Sequence, residues 1–254
     1  MKPLSVYQDN FTVEMRDVDF TGNLRLSTLF GYFQDVANRH SHNLGIGFDT
    51  IMREFGVIWA LIRIRVDIIR YPAMNERILV ETWPQKPTNL EFARDFLVYD
   101  RDGNIIVRAV STWAILDIHT RKLKRAKLIA PDYPPFREER ALDYKLRRLK
   151  PFGQLEMVYK RVIGYSDIDM NEHLNNTKYV DLLMDCFSVE SHKANYVKSI
   201  EFNYVNEALP GDTIVVYKDL TAAEENMIYI EGINEKDRKL AFQSRLEIAP
   251  RPVR

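Results

Sequence analysis

Two stretches 150 residues apart carry the same polar signature, and a chain that repeats itself at such a spacing is built from two related units. "RDVDFTGNLRLSTLFGYFQDVA" begins at Arg16 and "SDIDMNEHLNNTKYVDLLMDC" at Ser166. Asp17, Asp19 and Leu24 match Asp167, Asp169 and Leu174 at a constant offset of 150. Each motif leads into apolar residues of helical period, Leu26, Leu29, Phe30 and Phe33 in the first and Val180, Leu183, Met184 and Phe187 in the second. Strand-like runs follow in both halves. In "IWALIRIRVDIIRYP", Ile62, Ile64, Val66 and Ile68 alternate with Arg63, Arg65 and Asp67, as in a strand buried on one face. "RILVETW", "EFARDFLVYD" and "NIIVRAVSTWAILDI" complete the first half, with Asp102-Gly103 predicting a hairpin turn between the last two. "VKSIEFNYV", "TIVVYKDL", "NMIYIEGI" and "LAFQSRLEI" play the same parts in the second.

Both halves thus read strand, helix, then four strands. Without strand–helix alternation this argues against a doubly wound parallel sheet and predicts an α+β chain, a long helix lying across a curved antiparallel sheet in each half. The expected boundaries are 1–120 and 151–254, joined by a basic linker at 121–150. The seam from His119 to Lys150 holds eleven Lys/Arg and four Asp/Glu, a net of +7. Over the whole chain Lys plus Arg and Asp plus Glu both number 36, a balance that argues against nucleic-acid binding. A single cysteine, Cys186, excludes an internal disulfide and suits a reducing compartment. No apolar run reaches membrane-spanning length and no targeting segment is evident, so a cytoplasmic protein is expected.

The repeat is most informative where it fails. Asn171 and His173 stand where the first half has Thr21 and Asn23, and aligning "NERILV" with "GDTIVV" sets Glu207 against Tyr71. In an extended segment Asp169, Asn171 and His173 would project from one face, just before a helix whose first N–H groups lack partners. Such donors suit a carbonyl that becomes an oxyanion, and Glu207 from a neighbouring strand end would act as general base for water. Each residue also has a plainer role: Asp or Asn before a helix is ordinarily a cap, and Glu207 could be a solvated strand-end residue. Other chemistry lacks its pattern. The five histidines show no metal-ligand spacing, His40 and His42 fall where they would complement a helix dipole, and no nucleophile elbow or phosphate loop occurs. Cys186, beside Phe187, reads as a buried structural thiol. No metal or cofactor is called for.

At these residues the chain resembles the acyl-acyl carrier protein thioesterases of plant plastids and bacteria. "DIDMNEHLNNTKYV" is similar to that family's D-x-D-x-N-x-H-x-N-N signature, and "FNYVNEA" to its Y-x-x-E segment. Agreement extends through "IWALIRIRVDIIRYP", "ETW", "ARDFLVYD" and "RAVSTWAILDIHTRKL", from about Phe11 to Ile248. The resemblance implies a double hotdog fold, hydrolysis of an acyl thioester on an acyl carrier protein, and a catalytic set of Asp169, Asn171, His173 and Glu207. Many plant members carry a cysteine after the glutamate. Here that position is Ala208, which argues for carboxylate-driven hydrolysis. Asp169 either fixes its neighbours or attacks the carbonyl itself. The resemblance also implies an acyl tunnel in the first half, with Trp59, Trp113, Phe30 and Phe33 as candidates that would serve equally in an ordinary core. It implies a basic landing site for the acidic carrier, with Arg121, Lys122, Lys124, Arg125, Arg147 and Arg148 as candidates, although a solvated linker would look the same. Members often form a homodimer, while two halves in one chain already supply the pair that single-hotdog enzymes obtain by dimerising. Three alternatives stand beside this reading: a thioesterase for coenzyme A esters, a hydratase or dehydratase on the same scaffold, and a non-catalytic acyl-binding module.

Overall fold

The computed structural model describes residues 2–129, 137–219, 221 and 226–251. The chain divides into two compact units, Met1–Leu146 and Arg147–Arg254. The first contains β1 (Tyr7–Thr12), α1 (Leu26–Asn43), α2 (Phe48–Phe55), β2 (Val57–Ile68), β3 (Arg77–Pro84), β4 (Phe92–Tyr99), β5 (Ile105–Asp117) and a short β6 (Leu123–Lys124). The second contains β7 (Leu155–Val162), α3 (Asn176–Met184), α4 (Val189–Ala194), β8 (Asn195–Tyr204), β9 (Thr213–Asp219), β10 (Met227–Asn234) and β11 (Leu240–Pro250). Strand order in the first unit is β1-β3-β4-β5-β2 and in the second β7-β9-β10-β11-β8, all pairs antiparallel. The two orders are the same permutation, so the repeat seen in the sequence is a repeat of topology. Each unit is a hotdog, and the chain is an α+β double hotdog as expected.

In the first unit α1 buries Leu26, Leu29, Phe30, Phe33, Val36 and Ala37, one stripe of a 3.6-residue period. Phe33 meets Phe96 of β4 with ring centroids 4.8 Å apart, and Tyr32 stacks on Phe11 of β1 at 4.1 Å. In the second unit Tyr179, Val180, Leu182 and Leu183 of α3 are buried, and the Tyr179 ring packs edge-on to Phe202 of β8 and Phe242 of β11. The alternation predicted in β2 holds from Ile64 to Ile68 but shifts at a bulge between Leu61 and Arg63, where Leu61 is buried and Ile62 only partly so. The predicted β4–β5 turn forms around Gly103 at φ 81, with the Asp100 carboxylate accepting the Asp102 and Asn104 N–H groups.

The segment expected as a linker packs largely with the first unit, and the boundary falls after Leu146 instead of at 120 and 150. β6 pairs with β5, and Ala126 and Ile129 join a buried cluster with Ile51, Val57, Phe92 and Ile115. Residues 130–136 of the seam lie outside the described residues. From Arg137 the chain runs as a strap across β3 and β4, with Ala141 buried against Trp83 and Leu97. Trp83 Nε1 donates to the Glu139 carbonyl at 2.9 Å, and the Arg137 guanidinium lies 4.4 Å over the Trp83 ring. Asp95 on β4, with no exposed surface, accepts Arg140 Nε at 3.1 and 3.0 Å and the Ala141 N–H at 2.8 Å. Arg108 of β5 donates to the Ala141 carbonyl, and Arg65 of β2 lies over the Tyr144 ring.

His40 departs from its expected role. It is fully buried, with Nε2 2.9 Å from the Leu4 carbonyl and Nδ1 3.0 Å from Arg94 Nη1. These partners require a neutral ring that donates from Nε2 and accepts at Nδ1, so it is not a cation serving the helix dipole. Burial, reinforced by the Arg94 charge, lowers its pKa from 6.5 to about 4. Between those values the unfolded chain binds a proton that the folded chain refuses. Stability is therefore full above pH 6.5 and falls as pH drops toward 4, with His40 contributing about 3 kcal/mol of the loss. Urea titrations from pH 4 to 7.5 are expected to show this slope in the wild type and a shallower one in His40→Gln. Identical slopes would refute the assignment. Among the described residues no helix is long and apolar enough to cross a membrane.

Candidate active site

Asn171, His173 and Glu207, singled out by the broken repeat, lie with Asp169 on one hairpin and the loop bonded to it in the second unit. Asp169 to His173 do not form an extended segment, as the alternation suggested, but a tight hairpin. The Asp169 N–H donates to the His173 carbonyl at 3.0 Å, the Glu172 N–H donates back to the Asp169 carbonyl at 3.0 Å, and Ile168 bridges Leu174. The residue closing the turn, Glu172, sits in the left-handed region at φ 61, where the first unit has Gly22 at φ 77. Asp169 Oδ1 accepts the Asn171 N–H at 2.8 Å. This side-chain-to-backbone bond stabilises the turn and sets Asn171 on its exposed outer arm.

The turn is secured on both sides. Asp167, nearly buried, accepts the Gly164 N–H at 3.0 Å and Arg161 Nη2 at 2.9 Å, and its carbonyl accepts the Asn175 N–H. Asn175 caps α3, its Oδ1 accepting the Thr177 N–H at 2.8 Å. Asp167 and Asn175 are therefore structural, and α3 begins three residues after His173. Glu207 follows β8 in the loop to β9. The Leu174 N–H donates to the Ala208 carbonyl at 2.9 Å, which ties this loop to the hairpin and places Glu207 Oε2 3.4 Å from His173 Nε2. His173 is 24% exposed and Glu207 45%, so the pair is open to water from the carboxylate side. An imidazole and a carboxylate at this separation, beside an amide and the start of a helix, can activate water and polarise a carbonyl.

The sister turn copies the backbone and omits the chemistry. The Asp19 N–H donates to the Asn23 carbonyl, the Gly22 N–H to the Asp19 carbonyl, and the Leu24 N–H to the Pro72 carbonyl at 2.8 Å. Pro72 thus takes the place of Ala208 and Tyr71 that of Glu207, as the alignment predicted. Thr21 Oγ1 donates to Asp19 Oδ1 at 2.6 Å and Asn23 Nδ2 to Thr21 Oγ1 at 2.9 Å, so the first turn's polar groups satisfy one another.

The remaining candidates fall elsewhere. Phe30 and Phe33 are each 1% exposed, within the first unit's core. Trp59 and Trp113 are partly buried against the Ile51–Phe92–Ile115 cluster, with Trp59 Nε1 donating to the Ile46 carbonyl and Trp113 Nε1 to Ser111 Oγ. Arg121, Lys122, Lys124 and Arg125 lie on and around β6, where Lys124 pairs with Asp117 at 3.0 Å and Lys122 and Arg125 are exposed. Arg147 and Arg148 open the second unit and are exposed. Cys186 is buried, and desolvation pushes its thiol up to about 12, which removes it from nucleophilic chemistry at neutral pH. Tyr179, buried on α3, had no mark in the sequence beyond its place four residues after the Asn175 cap. Its hydroxyl accepts the Ala208 N–H at 3.1 Å and donates to the Asn206 carbonyl at 3.4 Å.

The family model for the acyl-ACP thioesterase N-terminal domain matches residues 4–133, and that for the acyl-ACP thioesterase C-terminal domain matches residues 156–246. Oleoyl-acyl carrier protein thioesterase 2, chloroplastic, of Arabidopsis thaliana is 28% identical over 82% of this chain and 61% of its own length. The chain thus spans about three-fifths of that curated relative. A crystal structure of an acyl-ACP thioesterase from Bacteroides thetaiotaomicron superposes with a TM-score of 0.87 at 27% identity, over 96% of this chain and 98% of that one. The 12:0-ACP thioesterase from Umbellularia californica shares the fold, with a TM-score of 0.83 at 20% identity over 97% and 94% of the two chains.

Proposed function

The chain belongs to the acyl-ACP thioesterase family, and on that premise we propose that it hydrolyses an acyl thioester carried by an acyl carrier protein, releasing free fatty acid and the carrier thiol. The observation that carries the proposal is the 3.4 Å approach of His173 to Glu207 on the turn that holds Asp169 and Asn171. Glu207 takes a proton from water as the water oxygen attacks the thioester carbonyl. The negative charge that develops on the carbonyl oxygen is met by Asn171, His173 and the N–H groups at the start of α3. Collapse of the tetrahedral intermediate breaks the carbon–sulfur bond, and the departing thiolate takes up the proton that Glu207 removed from water, which restores the carboxylate. Asp169 has the orienting role, because its Oδ1 already holds the Asn171 N–H. Oxygen-18 from labelled water appearing in the Asp169 carboxylate after a single turnover would overturn that role in favour of an anhydride.

The first unit binds the acyl chain, with Trp59 and Trp113 better suited to line it than the fully buried Phe30 and Phe33. The acidic carrier docks on exposed basic residues, of which Lys122 and Arg125 flank β6. The lone thiol suits a reducing compartment, and the cytoplasm is the proposed location. Thiol release from acyl-carrier and acyl-coenzyme A substrates of equal chain length tests the reading. The carrier substrate is expected to have the higher kcat/KM, and a Lys122→Glu/Arg125→Glu variant to raise its KM by about five- to tenfold at unchanged kcat. Indifference to charge reversal and to salt would reject the docking surface. A preference for the coenzyme A ester would transfer the activity to that donor.

A further inference from the structure

Glu207 sits on a loop, and a general base on a loop is only as well placed as the peptides on either side of it. On the β8 side, the Val205 and Asn206 N–H groups donate to the Ala241 carbonyl at 2.9 and 3.2 Å, and Asn206 Nδ2 donates to the Leu240 carbonyl at 2.7 Å. On the other side the Ala208 carbonyl accepts the Leu174 N–H at 2.9 Å. One group touches both peptides that bracket the carboxylate: the Tyr179 hydroxyl, which accepts from the Ala208 N–H and donates to the Asn206 carbonyl.

The phenol that makes these bonds has little freedom. Tyr179 is 3% exposed, and its ring is surrounded edge-on by Phe202, Tyr204 and Phe242 at centroid distances of 6.4, 5.6 and 5.8 Å. It projects from the first turns of α3, the helix that starts directly after the hairpin bearing His173. The hydroxyl therefore joins the His173 side of the site to the Glu207 side through a rigid ring. Its oxygen accepts the N–H of Ala208, a residue with no exposed surface. Losing the hydroxyl would leave that buried donor unsatisfied and favour movement of the adjacent carboxylate.

We propose that Tyr179 is a positioning residue for Glu207, setting its carboxylate against His173 without touching substrate. This rests on Glu207 being the general base. Tyr179→Phe keeps the packed ring and removes only the hydroxyl, so kcat for thioester hydrolysis is expected to fall by about ten- to a hundredfold while KM stays within twofold. The decisive measurement is a cycle with Glu207→Gln, followed by single-turnover hydrolysis of the same acyl-carrier substrate. If Tyr179 acts through Glu207, adding Tyr179→Phe to Glu207→Gln changes the residual rate by less than twofold. An equal loss in both backgrounds would mean a general structural role and overturn the proposal, as would a Tyr179→Phe enzyme with wild-type kcat. A Glu207→Gln enzyme with wild-type kcat would instead remove the general-base premise itself, a result separable from either.

Discussion

Glu207→Gln is expected to lower kcat for thioester hydrolysis by between about a hundred- and ten-thousandfold, the range general-base catalysis supplies. Glutamine matches glutamate in shape and can still accept a hydrogen bond from His173 Nε2, so the loop geometry should persist. What it cannot do is accept a proton from water at neutral pH. Glu207 is 45% exposed, and its replacement removes no packed volume, so the melting temperature should stay close to that of the wild type. KM should also change little, because the carboxylate acts on water and contributes little to holding the acyl chain or the carrier. Continuous detection of released thiol at saturating acyl-carrier substrate gives kcat directly. Activity within twofold of wild type would eliminate Glu207 as the base and with it the carboxylate-driven mechanism.

The second large effect concerns stability. Arg140→Ala should destabilise the first unit by about 3 kcal/mol, because it strips the guanidinium from a carboxylate that has no access to water. Burial alone already pulls the Asp95 carboxyl above the ordinary carboxylate range, against the opposing pull of Arg140 and the Ala141 N–H. Without Arg140 the charge has lost its main compensation, and the strap loses its central anchor. Adding Asp95→Asn removes that charge and should restore part of the stability, whereas two independent contacts would add their losses. Urea unfolding of the two single variants and the double variant decides between these outcomes. A midpoint for Arg140→Ala equal to wild type would show that the strap is not held at this point.

The strap also marks the limit of what could be read from the chain. Helix α1 and the later part of β2 announce themselves by period, because burying one face of a helix or sheet imposes a spacing on the apolar residues. Residues 137–146 have no period, and each of their anchors lies far off in sequence: Asp95 to Arg140, Trp83 to Glu139, Arg65 to Tyr144. A run of Lys and Arg on the page reads as a solvated linker, and only the folded sheet shows that two of its arginines face carboxylates at Glu81 and Asp95. His40 was misjudged for a like reason. Its position at the end of α1 was legible, but its burial and the Arg94 charge, which together keep it neutral, depend on residues distant in sequence.

At the candidate site the residue identities were legible and the local shape was not. Asp169, Asn171 and His173 alternate in sequence, which suggested an extended edge. In the structure the backbone reverses between them, because Asp169 accepts the Asn171 N–H and Glu172 takes a left-handed conformation. The match of Glu207 to Tyr71, by contrast, followed from aligning two strand entrances and agrees with the paired Leu174–Ala208 and Leu24–Pro72 hydrogen bonds. The role of Tyr179 was invisible because its hydroxyl bonds to main-chain atoms, which leave no trace in side-chain pattern.

The twin hairpins have a consequence for how this chain can change. Their form is kept by peptide groups bonding to peptide groups, together with one leading aspartate, and none of those bonds involves the imidazole, the amide or the distant carboxylate. Shape and reactivity are therefore stored in separate sets of atoms. A chain organised in this way can gain or lose a reactive group at one hairpin by ordinary substitution, with the folded frame left as it was, and Thr21, Asn23 and Tyr71 record one such outcome beside the other.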